Sequence, residues 1–439
     1  MRTKLKLILA FLATVFLLSG CMRTVDQMYR LPKRSEMFTE LQSAVDNAMP
    51  DLSYCAPTSG ENQQAVQHAD LNGDGKEEFL LFAKADAEHP LRILIFQQVD
   101  DTFDLVQSIE SNGAAFDSVE YANMDGKPGS ELIFGSQLSD QVLKNVSVYT
   151  FSEALETQLL ASANYSKYLC TDLDSNGSSE LFVLKPGLVA NDNGLAELYS
   201  MRDGKIERTT EINMSGPTEK LKRILIGKIA GGIPAVYVAT TVSDSALVTD
   251  IYIYQNSNLR NIALSKDSDA SVRTLRNYYV FADDIDNDDV VELPYLMPMM
   301  PMDNMVSAGK QELIRWYALD ADSNEIAKAY TFHNFIDGWY LELDEEWAAQ
   351  VTVLDVDNTY AFYIWDDDYI NAEKVLTIYP HSGTDRGSEN MDTEHIVLAE
   401  TENVWYTAKI EDANDHKLSP EYIRTHFHLI SQAWKTGET

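Results

Sequence analysis

The chain has 439 residues, with 34 Lys and Arg against 69 Asp and Glu and a formal net charge of −35. Phosphate binding needs a basic face, so this balance argues against a nucleic-acid partner; it suits an exposed, soluble surface whose charge is partly absorbed where cations bind. The length allows two or more domains, although repeat folds exceed the usual domain size.

Arg2, Lys4 and Lys6 precede an apolar run from Leu7 to Leu18 that is too short for a spanning helix. The run closes on Leu18-Ser19-Gly20-Cys21, which resembles the lipobox of bacterial lipoproteins. That resemblance implies a signal peptide over residues 1–20 and Cys21 as the lipidated, palmitate-bearing first residue of the mature protein. It also implies a place on the extracytoplasmic face of a bacterial cell membrane. An ordinary secretory signal with a chance cysteine is the plainer alternative. No later segment is long and apolar enough to span a membrane. Beyond Cys21 only Cys55 and Cys170 remain. In an exported protein they either form a disulfide or stay as separate buried thiols.

Residues 21–62 read as the lipidated cysteine, a polar, basic tether and a short helix. The helix is expected over 35–48, capped by Ser35, with Met37, Phe38, Leu41 and Val45 on one face. From about residue 63 the pattern becomes short β-rich runs between Gly, Asn and Asp, as at Leu91–Phe96, Val146–Tyr149, Ala235–Val238 and Ile251–Tyr254.

An acidic nine-residue loop recurs in this region. It reads Asp70-Leu-Asn72-Gly-Asp74-Gly75-Lys-Glu-Glu78, then Asp172-Leu-Asp174-Ser-Asn176-Gly177-Ser-Ser-Glu180, then Asp284-Ile-Asp286-Asn-Asp288-Asp289-Val-Val-Glu292. Each copy runs into an apolar stretch: Phe79–Phe82, Leu181–Leu184 and Leu293–Leu296. Oxygens at positions one, three, five and nine, with a sharp turn at six, suit a hard cation such as calcium. Candidate ligands are therefore Asp70, Asn72, Asp74 and Glu78; Asp172, Asp174, Asn176 and Glu180; and Asp284, Asp286, Asp288 and Glu292. Glycine takes the turn at Gly75 and Gly177, while Asp289 replaces it in the last copy and tolerates left-handed geometry better than most residues. The plainer alternative is a solvated Asp/Asn turn between strands. A bidentate Glu at position twelve would mark an EF-hand, but Leu81, Val183 and Tyr295 stand there.

A further copy has Asn123, Asp125 and Glu131 at positions one, three and nine but Lys127 at five, where the ammonium is expected to stand in for a cation, pairing with Asp125 and Glu131. Glu78, Glu131 and Glu180 follow each other at intervals of 53 and 49 residues, and Glu292 lies 112 further on, two units of 56. Halfway, Gly227–Ala235 keeps the turn and has lost the acids. Units of about 40–50 residues are the size of a four-stranded propeller blade. The strand–loop–strand context resembles the FG-GAP and VCBS repeat families over roughly residues 63–300, although their phenylalanyl-glycyl turns are not evident. The whole chain is similar to VCBS-repeat lipoproteins of Firmicutes, including Phe427–Trp434, a likeness that brings no activity with it. The resemblance implies a mainly β fold, a β-propeller of about five to seven blades over 63–345, with structural calcium in its blades and partners on its face.

All six Trp lie between Trp316 and Trp434, and 294–305 is a Pro/Met-rich connection. Residues 346–439 read as a small α/β or β-rich accessory domain. Strands are expected at 313–319, 329–332, 339–343, 351–356 and 360–365. A closing helix is capped by Ser419, with Ile423, Phe427, Ile430 and Trp434 on one face. Trp316, Trp339, Trp347 and Trp365, with Tyr317, Tyr340 and Tyr363, form either a sugar-stacking surface or, more ordinarily, core. Asp366–Asp368 reads as an exposed acidic turn, with a cation or hydrolytic role as the sharper alternative. His426 and His428 do not share a helix face and are not expected to form a metal pair. The Met cluster at 297–305 reads as packed loop.

No His-Glu-x-x-His, Gly-x-Ser-x-Gly, phosphate-cradling or dinucleotide motif occurs, and no catalytic residue is assigned. The sequence points to a calcium-braced, lipid-anchored protein that binds an unidentified protein or glycan at the cell surface without catalysis. The alternatives are an enzyme acting on polysaccharide or cell-wall material and a structural component of a surface complex.

Overall fold

The computed structural model describes residues 36–86, 88–138, 144–189, 192–243, 246–265, 268, 270–276, 280–299, 312–364, 372–383, 395–411 and 418–430. Cys21, Ser35, Trp365, Asp366–Asp368, Met300–Met305 and Trp434 lie outside them. No helix among the described residues is long and apolar enough to cross a membrane. The fold is mainly β, with six antiparallel sheets, each open. The chain divides into two compact units, the first holding residues up to 56 with 64–69 and 76–112, the second holding 57–63, 70–75 and everything from 113.

The first unit contains helix α1 (Glu36–Ala48) and strands β1 (Leu52–Tyr54), β2 (Val66–Ala69), β3 (Glu78–Ala85), β4 (Leu91–Val99) and β5 (Thr102–Ser111). Its sheet runs β1-β3-β4-β5, with β2 also on β3. Leu41 and Val45 of α1 are buried with Leu81, Ala83, Leu94, Phe96 and Phe103, as the amphipathic spacing predicts. Phe38, expected on the same face, is 57% exposed.

The second unit begins with sheet two, β6 (Ala115–Ala122), β7 (Glu131–Gln137), β8 (Lys144–Phe151) and β9 (Thr157–Tyr165). Sheet three is β10 (Lys167–Thr171), β11 (Glu180–Lys185), β12 (Leu195–Arg202) and β13 (Lys205–Asn213). Sheet four is β14 (Leu221–Ile229), β15 (Ile233–Thr241), β16 (Leu247–Gln255) and β17 (Asn258–Asn261). All three are simple meanders. Sheet five starts with β18 (Leu293–Pro298), β19 (Glu312–Leu319), β20 (Glu325–Asn334) and β21 (Trp339–Leu343), followed in the chain by α2 (Glu345–Ala348). Sheet six holds β22 (Val351–Val356), β23 (Thr359–Ile364), β24 (Glu373–Ser382), β25 (Ile396–Glu400) and β26 (Val404–Ile410). After α3 (Pro420–His426), strand β27 (Phe427–Leu429) returns to pair with β21 of sheet five.

The apolar runs behind the loops are continuous because both faces of these strands are covered, and successive side chains point to opposite faces. Leu181 and Val183 join the core that holds Ile133 and Val148 of sheet two. Their neighbours Phe182 and Leu184 join the core that holds Val236 and Val238 of sheet four. Ala235 and Tyr237 then pack with Leu293 and Tyr317 of sheet five. Successive sheets of this unit therefore stack face to face through shared cores.

The expected accessory domain from residue 346 is not a separate body. Phe332, Trp339 and Leu341 of sheet five share one core with Val353, Phe362 and Leu376 of sheet six and with Ile423 and Phe427. The Trp cluster misleads because it is core: Trp316 and Trp339 are 0% exposed and Trp347 is 6%. Tyr317 is buried as well, and Met297 and Met299 pack against the same cores. The closing helix is shorter than its periodicity predicts. Ser419 does cap it, accepting from the Tyr422 N–H at 3.0 Å, but the backbone turns extended at Phe427 because β21 offers an open edge. His426 stacks on Tyr422 and His428 on Tyr340, so the two imidazoles part.

Phe332 and Phe362 meet edge-on at 5.5 Å across sheets five and six. Each truncated to Ala is expected to lose about 3–5 kcal/mol in urea unfolding. In a double-mutant cycle the pair is expected to couple by about 0.5 kcal/mol or more. Strict additivity would restore an independent C-terminal domain.

Candidate metal centres

The acidic loops lead into β3, β7, β11 and β18, and they share one hydrogen-bond scaffold. The position-one carboxylate accepts from the turn it precedes. Asp70 takes the N–H groups of Gly73 and Gly75 at 2.8 and 3.0 Å. Asp172 takes those of Asn176 and Gly177 at 3.1 and 2.9 Å, and Asp284 those of Asp288 and Asp289, both at 3.0 Å. The position-five oxygen of Asn176 accepts from Ser178 at 2.7 Å, and that of Asp288 from Val290 at 2.9 Å. At the far end the position-nine glutamate accepts the N–H of position two: Leu173 to Glu180 at 2.8 Å, Ile285 to Glu292 at 3.1 Å and Met124 to Glu131 at 2.6 Å.

The backbone winds tightly enough to need two left-handed residues. Gly75, Gly177 and Asp289 have φ of 82°, 89° and 67° at position six, so aspartate adopts the turn that glycine takes elsewhere. Position four is left-handed too, with Gly73, Gly126, Ser175 and Asn287 at 75°, 73°, 59° and 58°. Nothing in the acid spacing signals that second turn. Holding Ser, Asn or Asp there costs roughly 1–2 kcal/mol each, so the loop contacts must over-determine the conformation.

In two copies the carboxylates converge. One oxygen each from Asp172, Asp174 and Glu180 lies within 4.8 Å of the others, as does one each from Asp284, Asp286 and Glu292. Each triad can hold a metal ion. Burial, augmented by neighbouring acids, pushes Glu180 up to about 7 and Glu292 up to about 8, although each is partly pulled down by the N–H it accepts. Glu292 is 0% exposed and its Oε1 has no hydrogen-bond partner. A dry carboxylate oxygen without a donor is costly, and a bound cation is the natural remedy. Asp288 is outside the triad, its carboxylate held by Lys328. The first copy is divided, with Asp70–Gly75 in the second unit and Glu78 in the first.

The copy with Lys127 is satisfied internally. Lys127 Nζ pairs with Asp125 at 2.6 Å, as expected. Glu131 departs from the expectation, because the Thr150 hydroxyl donates to its Oε1 at 2.9 Å. Thr150 lies one step beyond the Leu132–Tyr149 pair; the matching step beyond Leu293–Tyr317 is Ala318, which has no hydroxyl to give. In the fourth copy Gly227–Ile229 is already strand and the turn contracts to Ala230–Gly232, leaving no room for a ligand loop.

The loops also touch one another within the second unit. Position eight of one copy donates its N–H to the copy before: Ser130 to the Asp70 carbonyl at 3.0 Å, Ser179 to Asn123 at 2.7 Å and Val291 to Lys228 at 2.9 Å. Pro234, at position eight of the fourth copy, has no N–H to donate. These rungs place the loops side by side at one end of the stacked sheets.

Two buried charges that the sequence does not flag lie elsewhere. Glu197, 1% exposed, is held by Lys185 at 2.6 Å, Arg208 at 2.9 Å and the Tyr199 hydroxyl at 2.7 Å. Asp250, 0% exposed, accepts from Ser215, Tyr252, Asn261 and Ser271. Cys55 lies in the first unit and Cys170 in the second, each as a free thiol. Burial beside Glu120 raises the Cys170 thiol well above its ordinary range.

No family model matches the chain, and no curated protein does. Among solved structures, the exotype rhamnogalacturonan lyase YesX aligns at 10% identity and a TM-score of 0.28, over 75% of this chain and 66% of that one. This chain thus spans just under two thirds of that protein. A Lactobacillus plantarum protein aligns at 8% identity and 0.28, over 74% of this chain and 95% of that one. Bacillus licheniformis rhamnogalacturonan lyase aligns at 11% and 0.28, over 74% and 73%. Likenesses this weak fix neither a common fold nor a common activity.

Thr150→Val keeps the side-chain shape and removes the donor to Glu131. It is expected to cost about 1–3 kcal/mol in urea unfolding, because a buried carboxylate oxygen is left without a partner. An unchanged midpoint would show that Glu131 does not need the hydroxyl.

Proposed function

We propose that the chain is a calcium-stapled β-propeller of the FG-GAP/VCBS type. It is anchored through lipid on Cys21 to the extracytoplasmic face of a bacterial membrane, and it binds a protein or glycan ligand without catalysis. The pair of matching triads, each closing on a buried position-nine glutamate, carries the calcium reading. All their donors are oxygens and several are anionic, which suits a hard cation with calcium's irregular coordination. The propeller reading is supported by meander sheets that stack face to face with their loops at one end. The address rests on the lipobox-like sequence. The buried acids outside the loops, Glu197 and Asp250, are engaged by several partners each, which suits structural duty and favours binding over chemistry.

Calorimetric titration with calcium is expected to register at least two sites. Saturation at about a hundredfold excess over Kd stabilises by about 2.7 kcal/mol per site, so chelator should lower the melting temperature by several degrees. Asp174→Ala and Asp286→Ala should each remove one ion. Absence of binding and of any shift would return the loops to solvated turns and remove the main support for the family reading. Labelled palmitate should enter the wild-type chain in cells and not Cys21→Ser; equal labelling of both would sink the anchor.

A further inference from the structure

The last acidic loop carries its own cation. Lys328 Nζ contacts Asp288 Oδ2 and lies 3.9 Å from Asp286 Oδ2, so an ammonium stands at the carboxylates of positions three and five. Lys328 comes from β20, forty residues beyond Asp288, and is not part of the loop.

A backbone irregularity aims it there. Between β19 and β20, Trp316 pairs with Ala329 but Tyr317 with Ala327, so Lys328 is the extra residue of a β-bulge. Bulges redirect a side chain. A like irregularity recurs between β4 and β5, β8 and β9, β12 and β13, and β23 and β24, where the extra residue is Val106, Leu160, Thr209 and Val375. Only sheet five puts a cation on it. In sheet three the Thr209 hydroxyl instead donates to the Leu198 carbonyl at 3.0 Å, and no lysine pairs with the Asp172–Glu180 loop among the described residues. In sheet two the bulge is apolar, and the loop supplies its own Lys127.

Lys328 does not complete the last loop. It meets Asp286 and Asp288, while Glu292 Oε1 stays buried without a hydrogen-bond partner. The site is therefore half-neutralised, holding a tethered monovalent cation where a divalent ion would reach all three carboxylates.

We propose that Lys328 is a built-in competitor for this metal site: it stabilises the loop when the ion is absent and must swing aside when one binds. The consequence is a division of labour, with Asp172–Glu180 an open, tight site and Asp284–Glu292 a weaker one that responds to changing divalent-ion levels. This rests on the cation reading of the loops given above.

Calcium chloride titrated into the full chain tests it, with wild type, Lys328→Met, Lys328→Thr, Glu292→Gln and the Lys328→Met/Glu292→Gln pair compared. Lys328→Thr carries at the bulge the residue type of sheet three and guards against a packing artefact of Met. Both lysine variants should tighten one site by about tenfold or more, since the ion no longer has to displace an ammonium from two of its carboxylates. The added Glu292→Gln should cancel that gain. In chelator the lysine variants should melt below wild type, and calcium should close or reverse the gap. Unchanged binding in both lysine variants, together with loss of one site in Glu292→Gln, overturns the competition and leaves the cation reading standing. Absence of calcium uptake in wild type and in every variant overturns both.

Discussion

A glutamate buried where the loop enters the following strand constrains each acid-bearing unit. Glu131, Glu180 and Glu292 are at most 4% exposed, and each accepts the position-two N–H across the loop. That bond joins the two ends of the nine-residue turn, fixing where the strand enters the stacked core. One N–H does not offset the burial of a carboxylate, so the charge is relieved by a second positive or donating partner or by a proton, as the raised Glu180 and Glu292 indicate. The variety among the copies follows from how that need is met.

One copy meets it within the protein, with Thr150 on Glu131 and Lys127 on Asp125. The copy in sheet three gathers three carboxylates and no ammonium among the described residues, an arrangement that could hold an added cation. The copy in sheet five lies between them, with Lys328 on two carboxylates and the glutamate left over. The fourth has discarded the glutamate for Ala235 and shortened the turn to match. Loss of the acid and loss of the loop go together because each exists to accommodate the other.

The parts legible in the sequence were those set by local chemistry. Alternating acids with a turn residue placed the loops, and the apolar runs behind them placed β3, β11 and β18. Asp289 took the left-handed turn expected of it. What the sequence hid depends on partners distant along the chain. Whether Phe427 continues a helix or joins β21 is decided by an open sheet edge, since Ile423 and Phe427 satisfy helical spacing either way. The tryptophans looked like a composition boundary because aromatic content rises where sheets five and six share one large core. Thr150 and Lys328 are ordinary strand residues until pairing register brings them to the loops.

That register lets sheets with little identity among their copies keep one backbone irregularity. The bulge at Val106, Leu160, Thr209, Lys328 and Val375 is a backbone property, kept while the side chain changes freely. In sheet five that bulge residue is a lysine that reaches the acidic loop, whereas in sheet three the Thr209 hydroxyl bonds the Leu198 carbonyl of the neighbouring strand instead. Substitution at one strand position can then retune a cation site without touching any ligand. The loops are linked by backbone rungs through Ser130, Ser179 and Val291, and the missing rung at Pro234 leaves the two carboxylate triads without a continuous backbone link. Each triad therefore depends on its own loop and on the strand residues that register brings to it, as Lys328 is brought to Asp286 and Asp288.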